Sequence, residues 1–191
     1  MGTRDRMLDA AAHVMRTRGL ARATTKEIAK ASGYSEAALY KHFHDKTDLF
    51  LAVLQERVPG NLRALLTGLP ERAGKGELRA VLTEVAAEAV DFYTEAFPMA
   101  ASVFSEPALH AAHREALQER GTGPRAVREG LAAYLAAERR AGALKPDVDP
   151  GAAAALLLGA CFQNAFLAHF TGDPNPTPES LVQTLLAPLT A

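Results

Sequence analysis

The side chains that could do chemistry together in this sequence lie in "SGYSEAALYKHFHDK", residues 32–46. Four polar donors are close together in it: Tyr40, Lys41, His42 and Lys46. Leu39 and Phe43 are four positions apart, so they share one helix face and can anchor the segment while the donors point to water. Hydroxyl, imidazole and ammonium groups suit phosphate oxygens. The residue types of the segment are therefore suited to a phosphate-bearing partner.

The net charge of −1 conceals an asymmetry along the chain. As far as Lys46, nine Lys and Arg residues face five Asp and Glu residues, so this part carries +4 and the remainder carries −5. A basic N-terminal part on an acidic body indicates that only the N-terminal part meets a polyanion. The excess is modest, and many solvated helices show as much, so charge alone does not decide the question.

Two other groups of residues have types that occur in metal sites or catalytic sites. Glu106, His110 and His113 place three possible ligands on one helix face, but zinc sites usually have denser ligand spacing, and solvated or pocket-edge histidines are the alternative. Cys161 lies in an Ala and Leu run, where we expect an inert buried thiol. The sequence has no Gly-rich phosphate loop, no HExxH and no GxSxG. We therefore expect no metal, no cofactor and no enzymatic activity.

The elements that must position the donor segment are helical, because apolar residues recur at helical spacing and no strand pattern occurs. We predict an all-α protein of about nine helices, with a bend near Pro59-Gly60 in the fourth. The expected helices span residues 4–18, 24–31, 35–42, 45–69, 77–97, 99–105, 107–119, 124–141, 151–170 and 178–187.

The first helices match the plan of a helix-turn-helix, in which the second short helix enters the major groove of DNA. Thr24-x-x-Glu27 is a capping-box pattern, Ser35 is an N-cap candidate, and Gly33 permits the tight turn between them. Asp45 is expected to cap the next helix. A helix-turn-helix can also be a packing motif with a solvated polar side, so the residues alone leave both interpretations open.

The stretch "GLARATTKEIAKASGYSEAALYKHFHDKTDLF", residues 19–50, resembles the DNA-binding domain of the TetR family of bacterial transcriptional regulators. The following positions have the family's spacing: Gly19, Thr24, Ile28, Ala29, Ala31, Gly33, Ser35, Leu39, Tyr40, His42, Phe43, Lys46 and Leu49. Residues 136–160 are similar to the approach to the family's dimerisation helix. The resemblance implies a DNA-binding head at 1–47 and an effector-binding and dimerisation body at 48–191.

By this resemblance, a double-stranded palindromic operator is the expected partner of the head. The residues expected to contact DNA are Thr24, Thr25, Ser35, Glu36, Ala37, Tyr40, Lys41, His42 and Lys46. Thr24, Tyr40, His42 and Lys46 would bind phosphates, and Glu36, Ala37, Tyr40 and Lys41 would face bases. Glu36 departs from the residues often found at its position. A carboxylate cannot bond a phosphate, but it can accept a hydrogen bond from a cytosine amino group.

The helical body of TetR-family proteins encloses a pocket for a small effector, and an apolar lining with a few polar groups suits such a site. The residues expected to line it are Phe92, Tyr93, Phe97, Phe104, His110, His113, Tyr134, Phe162, Gln163 and Phe166. Core packing is the alternative for any one of them. Because polar partners are few in this set, we expect an apolar or aromatic effector.

Dimerisation is expected along helices 151–170 and 178–187, because a symmetric DNA site needs a symmetric protein. The residues expected in the interface are Ala153, Leu156, Leu157, Gly159, Ala160, Leu181 and Leu185. The stretch 151–170 has twenty residues without a formal charge, which could span a bilayer. Its small residues, its Gln163, Asn164 and His169, and its acidic flanks favour a helix buried by protein. We expect no membrane span.

Residues 1–20 carry many charges and no apolar h-region, so no signal peptide is expected. A single cysteine and no disulfide framework fit a cytoplasmic setting. The sequence therefore predicts a cytoplasmic homodimeric repressor that a small effector releases from its operator. The alternatives are a regulator gated by a protein or by nothing, and an all-α ligand-binding or catalytic protein whose head is only packing.

Overall fold

The computed structural model describes residues 2–57, 62–171 and 176–190. All regular structure in these ranges is helical, which confirms the all-α prediction. Two short 3-10 helices occupy Leu20–Arg22 and Leu69–Arg72. The α-helices are α1 (Thr3–Arg18), α2 (Thr25–Ser32), α3 (Glu36–Leu39), α4 (Lys46–Glu56), α5 (Leu62–Gly68), α6 (Leu78–Phe104), α7 (Pro107–Glu119), α8 (Pro124–Arg140), α9 (Pro150–Ala168) and α10 (Pro178–Leu186).

The chain forms two compact units. Unit 1 comprises Met1–Pro59 and Ala96–Arg120, and unit 2 comprises Gly60–Glu95 and Gly121–Ala191. Unit 1 thus contains α7 and the last turns of α6 in addition to α1–α4. The predicted boundary between head and body after residue 47 is a boundary between functions and differs from the boundary between these two packing units. It stays a prediction.

The core of unit 1 is built from the apolar stripes that the sequence predicts for the first helices. Its largest contributors are Met7, Leu8, Met15, Ile28, Leu39, Phe43, Leu49, Phe50 and Val53. Met99 and Val103 from α6 and Leu109 from α7 belong to the same cluster. Because α7 packs on α4 in this unit, the core of the helix-turn-helix continues into α7.

The core of unit 2 lies between α6, α8, α9 and α10, with α9 packed on both α8 and α10. Its buried side chains include Val81, Leu82, Val85, Leu131, Tyr134, Leu135, Ala154, Leu158, Cys161, Val182 and Leu186. Burial raises the pKa of the Cys161 thiol to about 11, which makes the thiolate scarce at neutral pH. Helix α9 is the one described helix that is long and apolar enough for a membrane span, a test that a core helix also passes.

One carboxylate lies inside the core of unit 2. Glu138 is fully buried, and its Oε1 accepts a hydrogen bond from the Gly74 N–H at 3.0 Å. Its Oε2, and the hydroxyl of Tyr134 one turn earlier in α8, have no hydrogen-bond partner among the described residues. Burial and the neighbouring Glu138 carboxylate raise the pKa of Tyr134. The polar atoms of this pair are therefore only partly satisfied.

Helix α6 corrects one prediction. The sequence predicted separate helices at 77–97 and 99–105, but one helix of 27 residues runs through Pro98. Proline removes a single hydrogen bond, and the turns on both sides of it keep theirs. The carbonyl that loses its donor belongs to Thr94, and it has another partner in His169.

Helix α3 is also shorter than expected. It ends at Leu39 rather than near His42, and the next residues continue as a tighter turn. In that turn the Lys41 N–H donates to the Ala38 carbonyl at 3.3 Å and the His42 N–H donates to the Leu39 carbonyl at 2.9 Å. The predicted bend near Pro59-Gly60 lies outside the described residues.

Candidate nucleic-acid interface

The turn between α2 and α3 has the caps that the sequence predicts. The Thr24 hydroxyl accepts a hydrogen bond from the Glu27 N–H at 3.2 Å, and the Ser35 hydroxyl accepts one from the Ala38 N–H at 3.2 Å. Gly33 ends α2 with φ 76° and ψ 20°, in the left-handed region that a side chain disfavours. Two short helices are therefore held at a defined turn, as a helix-turn-helix requires.

The capping box at Thr24 is only half formed. The carboxylate of Glu27 does not return to the start of α2, because it forms an ion pair with Arg18 at the end of α1. This pair ties α1 to α2. The sequence indicates the cap but not the partner, since Glu27 and Arg18 belong to different helices.

The predicted donors at the end of α3 face outward. Leu39 and Phe43 are buried, with 1% and 3% of their surface exposed, as the sequence predicts for the anchors. Tyr40 is 50% exposed, and Lys41 and His42 are exposed. The turn after α3, which carries these donors, is thus open, and Ala37 near the start of α3 is exposed as well.

Lys46 is the first residue of α4, directly after its N-cap. The Asp45 carboxylate accepts a hydrogen bond from the Asp48 N–H at 2.8 Å, and this bond holds the pKa of Asp45 below its usual range. The Nζ atom of Lys46 lies 5.0 Å from the centroid of the Phe50 ring, one turn further along α4. The ring supports the lysine stem, so the ammonium group is restricted in position.

Sequence reasoning missed a hydrogen bond between the starts of α2 and α3. The hydroxyl of Thr25, the first residue of α2, donates to the carboxylate of Glu36, the first residue of α3. A hydroxyl has one proton, so Thr25 cannot also donate to a phosphate while this bond exists. Its predicted contact with DNA therefore competes with its contact to Glu36.

An ion-pair network at the end of α4 was also missed. Arg57 donates to Asp9 at 2.7 Å and to Asp5 at 3.0 Å, and Arg4 donates to both oxygens of Glu56 at 2.6 and 2.8 Å. The hydrogen bond from Arg4 lowers the pKa of Glu56. The network joins α4 to α1, and no local pattern indicates it because the partners are about fifty residues apart in the chain.

Six of the predicted effector residues lie in unit 2, where the structure brings three of them together. The rings of Phe92 and Tyr93 are 5.5 Å apart, and those of Tyr93 and Phe162 are also 5.5 Å apart. Tyr134 is buried in the core, whereas Gln163 and Phe166 are exposed on α9. A groove of about 230 Å³ in the same unit is lined by none of these six residues, but by Asp147, Val148, Asp149, Ala152, Ala153, Leu156, Pro188 and Leu189.

The other four predicted effector residues lie in unit 1. Phe104 is 71% exposed, and its ring centroid is 5.0 Å from that of His110. His113 is half-buried, and desolvation together with the neighbouring His110 lowers its pKa. Phe97 is half-buried. Among the described residues, no three His, Cys, Asp or Glu side chains come close enough to hold a metal ion.

The predicted dimer residues on α9 divide between its two faces. Leu156 is 65% exposed and Gly159 is exposed, whereas Ala153 and Leu157 are 4% and 2% exposed and pack in the core of unit 2. Successive residues of a helix are about 100° apart, and these two face inward within the chain, so the place of Ala153 and Leu157 in a dimer interface stays a prediction. Ala160, Leu181 and Leu185 are half-buried.

A capped helix-turn-helix with exposed donors at the end of its second helix, in an all-helical chain, defines a DNA-binding transcriptional regulator. The sequence model for the N-terminal domain of "bacterial regulatory proteins, tetR family" matches residues 7–53. The model for the C-terminal domain of AefR-like transcriptional repressors matches residues 81–187. The chain belongs to the TetR family.

Comparison with curated proteins gives partial matches. The chain is 31% identical over 111 residues to the transcriptional regulator AcrR of Shigella flexneri. The matched region covers 49% of this chain and 52% of AcrR. It is 46% identical over 55 residues to the transcriptional activator FasR of Mycolicibacterium smegmatis, covering 29% of this chain and 25% of FasR. The chain thus matches about half or less of the length of these relatives.

Solved structures share the fold across the whole chain. A TetR-family regulator from Mesorhizobium loti superposes with a TM-score of 0.77 at 19% identity, covering 99% of this chain and 97% of that one. SmeT, the repressor of the Stenotrophomonas maltophilia efflux pump SmeDEF, superposes with a TM-score of 0.64 at 24% identity, covering 100% and 92%. At these identities the likeness shows the fold alone.

Proposed function

We propose that this protein is a cytoplasmic, ligand-responsive transcriptional repressor. It binds a palindromic DNA operator as a homodimer, and a small apolar or aromatic effector releases it. The observation that carries the proposal is the set of donors at the end of α3 and the start of α4, in a chain of the TetR family. The family and the matched relatives are transcription regulators, which leaves little support for a catalytic function.

In this proposal α3 enters the major groove while flanking residues bind the sugar-phosphate backbone. Tyr40, His42 and Lys46 carry donors suited to phosphate oxygens, and Ala37 is small enough to approach a thymine methyl group. The caps at Thr24 and Ser35 fix the starts of α2 and α3, so the donors are presented from ordered elements. Binding should weaken steeply with salt, because phosphate contacts release counterions.

An apolar stripe on the outer face of α9 supports the proposed homodimer. Its large side chains on α9 are Leu156, Phe162 and Phe166, which are 65%, 47% and 38% exposed, and Phe170, just beyond the C-cap, is 68% exposed. Contiguous exposed patches of this kind mark interaction sites in soluble proteins. A second copy of the chain would cover the stripe with the same stripe, as a two-fold interface does.

The contact between α7 and α4 inside unit 1 supports effector control of the head. Helix α4 follows the helix-turn-helix, and α7 packs on it. A ligand changes an equilibrium only by its difference in affinity between two states, and a near-complete switch needs on the order of 5 kcal/mol. We propose that effector binding repositions α4 through α7, so that the spacing of the two heads no longer fits the operator.

A second candidate is a regulator of the same fold without a small effector, or one that activates transcription. Relatives that match 53 to 55 residues of the chain include the activator FasR and the nucleoid occlusion factor SlmA of Aliivibrio fischeri. Proteins with different outputs therefore share a segment of this length with the chain. In-vitro transcription assays with and without the protein separate repression from activation.

The test of the main proposal is selection of bound duplexes from a random DNA library, followed by sequencing. Palindromic enrichment, a stoichiometry of two chains per duplex and release by members of an apolar compound library are expected. Enrichment without release by any compound would support the effector-free candidate. Absence of an enriched sequence would contradict operator binding.

A further inference from the structure

The carboxylate of Glu36 is held differently from the other carboxylates of α1–α4. Among the described residues 2–57 there are seven Asp and Glu side chains. Arginine side chains or backbone amides bind six of them: Asp5, Asp9, Glu27, Asp45, Asp48 and Glu56. Glu36 instead accepts a hydrogen bond from the hydroxyl of Thr25.

This contact fixes the carboxylate of Glu36 without neutralising it. A hydroxyl is uncharged, so the carboxylate keeps its negative charge, and its Oε1 atom is the oxygen that the bond uses. Within the described part of the chain, Glu36 forms no ion pair with a basic side chain. The side chain is exposed at the start of α3, so Oε2 is open to a partner outside the protein.

The chemistry of DNA restricts what this partner can be. Phosphates repel a carboxylate, so Glu36 needs a donor, and the donors in the major groove are the amino groups of cytosine and adenine. Adenine carries the N7 acceptor beside its amino group, and N7 would repel the second carboxylate oxygen. Cytosine presents only its N4 amino group. A carboxylate fixed at the start of α3 therefore favours cytosine.

We propose that Glu36 is the specificity-determining residue for a cytosine in each operator half-site, and that Thr25 is its positioning residue. The inference rests on the proposed operator binding. Thr25 and Glu36 are the first residues of two capped helices, so their hydrogen bond sets the direction of the carboxylate from ordered backbone. Pre-ordering the side chain lowers the entropy lost when it meets the base.

The first experiment compares the sequences that the full-length protein and its variants select from randomised duplexes at one salt concentration. The parent should enrich cytosine at one position of each half-site. Glu36→Ala should lose the preference at that position and keep the others. Glu36→Gln retains an acceptor for Thr25 and should shift the preference to adenine, because a glutamine amide can accept from N6 and donate to N7.

A chemical substitution tests the contact itself. The selected cytosine is replaced by 2-pyrimidinone, which lacks the N4 amino group, and separately by 5-methylcytosine, which retains it. The parent should bind the 2-pyrimidinone duplex roughly 5- to 100-fold more weakly per half-site than the cytosine duplex. Its affinity for the 5-methylcytosine duplex should differ much less from its affinity for the cytosine duplex. Glu36→Ala should bind the cytosine and 2-pyrimidinone duplexes about equally.

Thr25 is tested by its effect on discrimination rather than on total affinity. Thr25→Val has a similar shape but no donor, so it should narrow the ratio of affinities for the cytosine and 2-pyrimidinone duplexes. Thr25→Ser should restore the ratio. An unchanged ratio in Thr25→Val would overturn its positioning role.

Glu27→Ala is the matched control, because it removes a carboxylate from the same helix pair and should leave base preference unchanged. If Glu36→Ala binds DNA with the same cytosine preference as the parent, the assignment of Glu36 is overturned while operator binding stands. If the parent itself enriches no sequence, operator binding fails instead. Because Glu36→Gln keeps the Thr25 contact, it gives a result even if Glu36→Ala folds poorly.

Discussion

The Nε2 atom of His169 lies 3.1 Å from the carbonyl oxygen of Thr94. Thr94 precedes Pro98 by four positions in α6, so its carbonyl is the acceptor that the N–H of residue 98 would bind in a regular helix. Proline has no N–H, and the histidine at the C-cap of α9 contacts that acceptor instead. A residue from another helix thus compensates for the proline inside α6.

This relationship predicts energetic coupling between His169 and Pro98. Replacing His169 by Ala should lower the free energy of unfolding by about 1 kcal/mol, because the Thr94 carbonyl loses a donor. In a Pro98→Ala background the helix supplies its own N–H, so the same replacement should cost less. Urea unfolding of the four proteins at one protein concentration measures the coupling.

His13→Ala serves as the control, since His13 is exposed on α1 and should show equal effects in both backgrounds. If His169→Ala lowers the free energy of unfolding equally with and without Pro98, the contact does not compensate for the proline.

Lys46 provides a test of the phosphate contacts. Lys46→Met keeps the apolar stem over Phe50 and removes the charge, so it should weaken binding to all DNA sequences about equally. The slope of log affinity against log salt should fall by about one phosphate per subunit. Fluorescence-anisotropy titrations over a salt series measure both the affinity and the slope. The control is the same replacement at Lys75, an exposed lysine of unit 2. Parental affinity and slope in Lys46→Met would mean that Lys46 meets no phosphate.

The buried pair on α8 predicts unequal effects of two substitutions. Glu138→Ala should lower the free energy of unfolding by about 1 to 3 kcal/mol, because the Gly74 N–H loses its acceptor. Tyr134→Phe removes a hydroxyl without a partner among the described residues and should be close to neutral. Urea denaturation measures both. A loss above about 1 kcal/mol in Tyr134→Phe would reveal a bond between its hydroxyl and Glu138.

The pair of Arg4 and Glu56 predicts a pH dependence of stability. The hydrogen bond from Arg4 lowers the pKa of Glu56 in the folded protein, so its contribution is present above the unfolded pKa of about 4.3 and is lost as the pH falls through the folded pKa. The pair is half exposed, so its contribution should stay below about 1 kcal/mol. Arg4→Gln should flatten the fall in unfolding free energy below pH 5, and Arg16→Gln on the same helix should not. Parallel pH curves for Arg4→Gln and the parent would contradict this expectation.

The apolar stripe on α9 predicts the assembly state. Leu156→Glu places a charge in the exposed stripe and should shift the protein from dimer to monomer at micromolar concentration, as measured by light scattering. Ala80→Glu, at an exposed position near the start of α6, is the control and should remain dimeric. A parent that is monomeric under these conditions would contradict the proposed homodimer.

Local signals in the sequence determined most of the helices and the caps and buried anchors of the candidate nucleic-acid interface. Capping by Thr24, Ser35 and Asp45 acts over three residues, and the burial of Leu39 and Phe43 follows from helical spacing, so neighbouring residues alone predict them. The family resemblance rests on the same short-range pattern. For this reason the helix-turn-helix could be recognised before any fold was known.

Contacts between distant residues required the tertiary structure. The hydrogen bond from Thr25 to Glu36, the bonds of Arg57 to Asp5 and Asp9, and the contact of His169 with Thr94 join different helices. The sequence did not predict which face of α9 points into the core, because the helix is apolar on nearly all sides. Which residues meet across helices depends on how the helices pack, and periodicity along one helix carries no information on that packing.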